Sequence, residues 1–146
     1  MLMNRKQIQI EWGDCDAAGT VFFPRYLEYG DACTNALFRL AGLFKPEMIK
    51  TYNIIGIPLV DVHARFIVPS DFGDEVVYET CIPEWGSSSF LVHHKVFRPD
   101  GVLGLEIFER RVWVIRVDGG PVKFRSEPIP EEVKRRFADS EPATGK

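Results

Sequence analysis

Residues 7–12 (QIQIEW) alternate polar and apolar side chains, a period of two that predicts a half-buried strand. From Pro24 the period lengthens. Tyr26, Tyr29, Cys33, Leu37, Leu40 and Ala41 fall at steps of three and four, which is one face of a helix. Both ends of that helix are marked. Pro24 suits a first helical position, where its missing N–H breaks no bond, and Gly42 can supply a left-handed cap. The spacing therefore predicts one long helix over 24–41, followed by a short helical piece around 46–52.

After Pro58 the alternation returns. In LVDVHARFIV, Val60, Val62, Ala64, Phe66 and Val68 alternate with Asp61, His63, Arg65 and Ile67, and EVVYETCI, SFLVHHKVF and LEIFERRVWVIRV follow as further strands. The segments between them (PSDFGD, PEWGSS, RPDGVLG and VDGGP) carry turn chemistry. Links this short cannot hold a helical crossover, so the strands should pair antiparallel with the long helix on one face, an α+β order. PEEVKRRF predicts a short charged helix. The ordered core should span about 5–138, with 139–146 too polar to repay the entropy of ordering.

At 146 residues the chain fits one domain. It is 45% hydrophobic and 27% charged, the balance of an ordinary globular protein. A formal charge of -3 gives no general attraction for nucleic acid, so an anionic ligand would have to be held by local basic groups. The cysteines (Cys15, Cys33 and Cys81) are odd in number, lack CxxC spacing and follow no secretory signal, which points to the reducing cytoplasm. No apolar stretch approaches the ~20 residues of a membrane-spanning helix. Phosphate loops of the GxGxxG or GxxxxGK[ST] type and zinc motifs such as HExxH are missing, so neither metal nor organic cofactor is expected.

The chemistry concentrates in GDCDAAGTVFFPRY, residues 13–26. A helix start carries unpaired N–H groups and about half a positive charge, and Pro24 contributes no donor. The nearest amide is that of Phe23, expected to be extended ahead of the proline. Asp16 lies seven residues earlier, and Gly19 lets the loop between them fold tightly. A carboxylate and an oxyanion donor on opposite sides of one carbonyl carbon form a minimal acyl-transfer site. On spacing alone, a loop in which Asp14 and Asp16 bond backbone N–H groups stands beside that reading.

Other polar residues carry less. Cys15 lies between two acids that should suppress its thiolate. Adjacent His93 and His94 point to opposite faces of a strand and cannot easily share an ion, while His63 reads as a surface or subunit-contact residue. Asp31 could reach the cavity of Asp16 or face solvent. Trp85 suits packing, and Ser87, Ser88 and Ser89 suit a ligand entrance.

The run GDCDAAGTVFFPRYLEYGDA resembles the start of the 4-hydroxybenzoyl-CoA thioesterase branch of the hotdog-fold thioesterases. The likeness continues through GIPLVDVHARF, SDFGDEV, ETCIPEW and SSSF, so that it spans residues 7–117. It implies a long helix wrapped by a curved antiparallel sheet, and hydrolysis of an acyl-CoA, aromatic or bulky in its acyl group. Asp16 is then the nucleophile or general base, with the Phe23 N–H polarising the thioester carbonyl. Gly19, Pro24, Tyr26, Asp31, Ile57, Trp85, Ser87, Ser88 and Ser89 fall at substrate-binding positions. Sites built between two subunits are also implied, with a dimer as the minimum and a tetramer above it. An acyl-carrier-protein thioesterase and a non-catalytic acyl-binding subunit are the other readings. Two departures stand out. GSSS after Trp85 replaces basic residues that serve the nucleotide end of coenzyme A, leaving Arg65, Lys95, Arg110 and Arg111 as unassigned substitutes. Phe23 stands where a tyrosine is common.

Overall fold

The computed structural model describes residues 1–138; the expectation for 139–146 lies outside the described residues. The chain runs β1 (Met3–Gln9), α1 (Pro24–Leu40), α2 (Lys45–Tyr52), β2 (Ile54–Gly56), β3 (Leu59–Phe66), β4 (Glu75–Trp85), β5 (Ser89–Phe97), β6 (Leu103–Val112), β7 (Val114–Arg116), β8 (Phe124–Ser126) and α3 (Glu131–Arg135). Five strands form an antiparallel sheet in the order β1-β4-β5-β6-β3, and β2-β7-β8 form a small second sheet.

Helix α1 lies on the main sheet through Tyr26, Gly30, Cys33, Thr34, Leu37 and Phe38. At its N-terminal half Tyr26 and Cys33 pack with Val76, Tyr78, Val96, Leu105 and Ile107. At the other half Leu37 and Phe38 pack with Phe90, Trp113, Ile129, Val133 and Phe137. Each fully buried side chain of this size contributes roughly 1.5–3 kcal/mol of transfer free energy. The helix ends where Gly42 takes φ +79°, with the Leu43 N–H donating to Phe38 O at 2.8 Å. Leu40, expected on the apolar face, is 53% exposed because it projects past the buried patch.

Four expectations are corrected, and two short strands are added. β1 begins at Met3 and stops at Gln9, because Asp14 accepts the Glu11 N–H and turns 12–14 into a single 3-10 turn. β4 continues through Pro83 to Trp85, and the register shift between Cys81 and Glu84 absorbs the missing donor. The strand expected over 105–117 breaks at Trp113, after which β7 leaves for the second sheet. β2 and β8, three residues each, carried no pattern long enough to read. β3 does not bury one face: Leu59, Val60, Val62 and Phe66 are all exposed, since the strand forms the sheet edge.

The C-terminal segment closes the far end of the core. The Ile129 N–H donates to Ser87 O, Lys134 Nζ donates to Gly86 O, and the Leu2 N–H donates to Phe137 O at 3.0 Å.

Candidate active site

The loop before α1 folds back on itself as a short hairpin. Cys15 bridges Val21, the Asp16 N–H donates to Thr20 O, and the Phe22 N–H donates to Asp14 O. Gly19 sits at its tip with φ +79°, in the left-handed region that a Cβ disfavours. The hairpin is fixed from outside by the 70–74 loop: the Val21 N–H donates to Ser70 O, and the Phe72 N–H donates to Gly19 O. Asp16 is thereby held on a pinned loop immediately ahead of the helix.

The carboxylate of Asp16 is exposed. Its Oδ1 accepts the Ala18 N–H at 2.9 Å and faces the Thr20 hydroxyl at 3.4 Å, the local turn expected of an aspartate here. Among the described residues, Oδ2 accepts no hydrogen bond. Asp14 instead faces inward to cap Glu11, and stands 4.0 Å from Arg25. The two acids thus differ in kind, one spent on loop structure and the other partly free.

Phe23 is helical, at φ −53° and ψ −35°, rather than extended as the following proline suggested. Tertiary anchoring overrides the proline's preference: the Arg25 N–H donates to Phe22 O and the Tyr26 N–H to Phe23 O, closing the first turn. The Phe23 N–H itself has no acceptor among the described residues. It is the unspent donor at the positive end of a 17-residue helix. Phe22, Phe23, Trp12 and Phe72 are exposed, Phe22 edge-on to Phe23 and Trp12 edge-on to Phe72.

Along the same helix face, four and eight residues on, come Leu27 and Asp31. They line a cavity of about 380 Å³ together with Glu28, Leu59, Val62, Glu109 and Arg111. The Asp31 side chain is 58% exposed, in keeping with the solvent-facing alternative; the cavity it borders does not include Asp16, and its Oδ1 accepts from Arg111 Nη2 at 2.9 Å.

Glu109 and Arg111 of that wall belong to a buried polar chain. Arg111 Nε donates to Glu109 Oε1 at 3.0 Å, and Nη1 donates to Ile57 O at 3.1 Å. The Thr34 hydroxyl donates to Glu109 Oε1 at 2.7 Å, with His94 Nε2 3.3 Å from the same oxygen and Nδ1 2.8 Å from the Thr80 hydroxyl. Burial opposes ionisation of Glu109, but the bonds and charges of His94 and Arg111 outweigh it and hold the carboxyl at about 2. Burial likewise opposes the charge on Arg111, and Glu109 and Asp31 outweigh it and raise its pKa. Sequence reasoning missed Glu109, His94, Thr34 and Thr80 as a group.

Several expected site residues lie elsewhere. The Ile57 side chain is 3% exposed and belongs to the core; its contribution here is a carbonyl. Tyr26 is also buried, with its hydroxyl accepting the Ser70 N–H at 3.1 Å and its carbonyl accepting the Tyr78 hydroxyl. Trp85 packs against Phe90 and Phe137. Ser87 and Ser88 lend their carbonyls to Ile129 and Trp113, and Ser89 O accepts the Gly86 N–H. Pro24 is the first residue of α1. Arg111, spent on Glu109, Asp31 and Ile57, is not free for a phosphate. Arg110 lies 3.7 Å from Glu84 and Arg65 3.9 Å from Glu106, while Lys95 is exposed. His93 stacks on Phe108 and His94 turns to the core, on opposite faces of β5. Burial, then Asp14 and Asp16, raise the pKa of the Cys15 thiol.

A family model described as the thioesterase-like superfamily matches residues 10–137. The chain is 33% identical over 130 residues to the 4-hydroxybenzoyl-CoA thioesterase of Pseudomonas sp. (strain CBS-3), covering 86% of this chain and 91% of that protein. Among solved structures, a mutant 4-hydroxybenzoyl CoA thioesterase complexed with 4-hydroxybenzoyl CoA superposes with a TM-score of 0.86 at 31% identity, over 94% of this chain and 100% of that one. A gentisyl-coenzyme A thioesterase gives a TM-score of 0.78 at 30% identity, over 92% and 100% of the two chains. The helix-on-sheet arrangement is the hotdog fold, and the chain belongs to the thioesterase-like superfamily, within its 4-hydroxybenzoyl-CoA thioesterase family.

Proposed function

We propose that the protein hydrolyses an acyl-CoA thioester, aromatic or otherwise bulky in its acyl group, to the free acid and coenzyme A. This reading is carried by an unspent Phe23 N–H at the start of α1 and a partly free Asp16 carboxylate on the hairpin that precedes it. The similar proteins named for 4-hydroxybenzoyl-CoA and gentisyl-coenzyme A support an aromatic acyl group.

The thioester oxygen accepts the Phe23 N–H, which together with the helix dipole stabilises the charge that develops there. The Asp16 carboxylate attacks the carbonyl carbon, or takes a proton from a water that does so. Collapse of the tetrahedral species breaks the C–S bond and releases the CoA thiolate. If Asp16 attacked, water then hydrolyses the resulting anhydride; by either route the products are acid and thiol. Gly19 keeps the hairpin tight and Pro24 keeps the helix mouth free of a competing donor. The acyl group lies along Leu27 toward Asp31, since helical side chains lean back toward the N-terminus.

A homodimer is part of this reading. The exposed apolar edge of β3 supports pairing with a second copy, whose strands then close the cavity, and a tetramer is the larger assembly proposed. Three free cysteines support a location in the reducing cytoplasm.

The test is free-thiol release across benzoyl, phenylacetyl, short aliphatic and long aliphatic CoA thioesters, with an acyl-carrier thioester alongside. Aromatic CoA esters should turn over fastest. Asp16→Asn should lower kcat by ~10²–10⁴ without changing the melting temperature by more than a few degrees. Near wild-type turnover in that variant would remove Asp16 from the mechanism.

A further inference from the structure

A second cavity, of about 350 Å³, lies along the C-terminal half of α1, where β1 and the start of α2 approach it. Lys6, Asn35, Arg39, Phe44 and Lys45 line it, and no carboxylate does. The chain has acids to spare, 21 against 18 Lys and Arg, and Arg5, Arg25, Arg110 and Arg136 each stand within 3.7 Å of one. Among the described residues, Lys6, Arg39 and Lys45 have no acidic partner.

The three charges reach this space from separate elements. Lys6 pairs across the sheet with the fully buried Tyr78, which puts it on the inner face of β1, toward α1. Its ammonium is near enough to Cys33 to oppose the rise that burial imposes on that thiol, which reaches about 12. The Arg39 guanidinium lies 4.4 Å over the Phe44 ring, a contact that steadies its plane and leaves its edges free to donate. Lys45 follows as the first residue of α2, and Asn35 adds an amide one turn before Arg39. Singly, Lys6 guards the edge strand β1 and Arg39 suits the negative end of α1. Neither use requires that they meet, with Lys45, around one space, where like charges repel. We infer that this cavity is a binding site for a phosphate group, separate from the site of Asp16. A phosphomonoester brings about two negative charges and three acceptor oxygens, enough to engage all three side chains, whereas a carboxylate brings one charge and two oxygens. Free pyrophosphate and a nucleotide share that chemistry.

The measurement is calorimetric titration of the full chain at low salt with sodium pyrophosphate and with ADP, and the melting temperature in the presence of each, in wild type and in three variants. Wild type should bind, more weakly as salt is added. Arg39→Gln and Lys45→Gln, both at exposed positions, should each weaken binding about ten- to hundredfold through loss of one charge-assisted bond, and either carries the test if the other does not fold. Lys50→Gln, on α2 but off the cavity wall, should leave binding unchanged. Pyrophosphate bound without ADP supports the inference with an inorganic ligand, and tighter binding of ADP supports it with a nucleotide. Neither heat nor a shift in melting temperature with either probe at millimolar concentration overturns it. Binding that survives in both Arg39→Gln and Lys45→Gln overturns it as well, as does an equal loss in Lys50→Gln, which is general attraction for anions. None of these readouts needs turnover, so failure here and failure of the thioesterase reading are told apart.

Discussion

The burial of Glu109 carries a consequence for stability. Its carboxyl titrates at about 2 in the folded chain against an ordinary value of 4.5, so in the interval between them the unfolded chain binds the additional proton. The stability due to this group is full above pH 4.5 and disappears as pH falls toward 2, a change on the order of 3 kcal/mol. Melting temperatures of wild type and Glu109→Gln should therefore differ most at neutral pH and converge between pH 4.5 and 2. Parallel curves across that range would show that Glu109 is not ionised in the core. The residue was partly legible in advance. Strict alternation places Leu105, Ile107, Glu109, Arg111 and Trp113 on one face of the strand, and an acid and a base among such neighbours must be buried together. What alternation could not supply was their partners, because Thr34, Thr80 and His94 arrive from other elements. The loop and helix start that carry Asp16 and Phe23 are local, so their place just ahead of α1 could be read within the segment, although the helical conformation of Phe23 could not. Tyr26 and Ile57 were expected at substrate-binding positions through the family resemblance, and tertiary packing buries both side chains in the core.

Elements with a long period survived folding best. α1 begins at the proline and ends one residue short of the expected Ala41, because both its punctuation and its apolar face are encoded within the segment. The strands differ from expectation where neighbours decide. Pro83 is tolerated inside β4 at a register shift, and Trp113 turns the chain from one sheet to the other. Gly104, which read only as the end of a turn, proves to be a close approach: a Cβ there would stand 2.7 Å from Val68 O, whose own residue donates its N–H to Gly104 O. Gly104→Ala should therefore cost about 1–3 kcal/mol, through displacement of the β3–β6 connection rather than through backbone strain. Urea denaturation would check this, and a midpoint equal to wild type would mean that the 66–68 segment moves aside freely.

The molecule as a whole leaves its β3 edge open, eight residues long with Val60 58% and Phe66 57% exposed. An edge of that length and polarity invites strand pairing, and a charge on it blocks pairing. Val60→Lys should convert a dimer to a monomer at micromolar concentration by sedimentation, and reduce thiol release at least tenfold if each cavity is completed by the second copy. A dimer that persists would place the interface on another surface. A different property follows from the bond between the Leu2 amide and Phe137 O, which joins the two ends of the described chain. Amide deuteration at residue 2 requires that this bond open, by release of either the first residues or the segment bearing α3, so its exchange rate couples two regions more than a hundred residues apart. A single early resonance thus serves as an intrinsic gauge of whether the two ends stay joined.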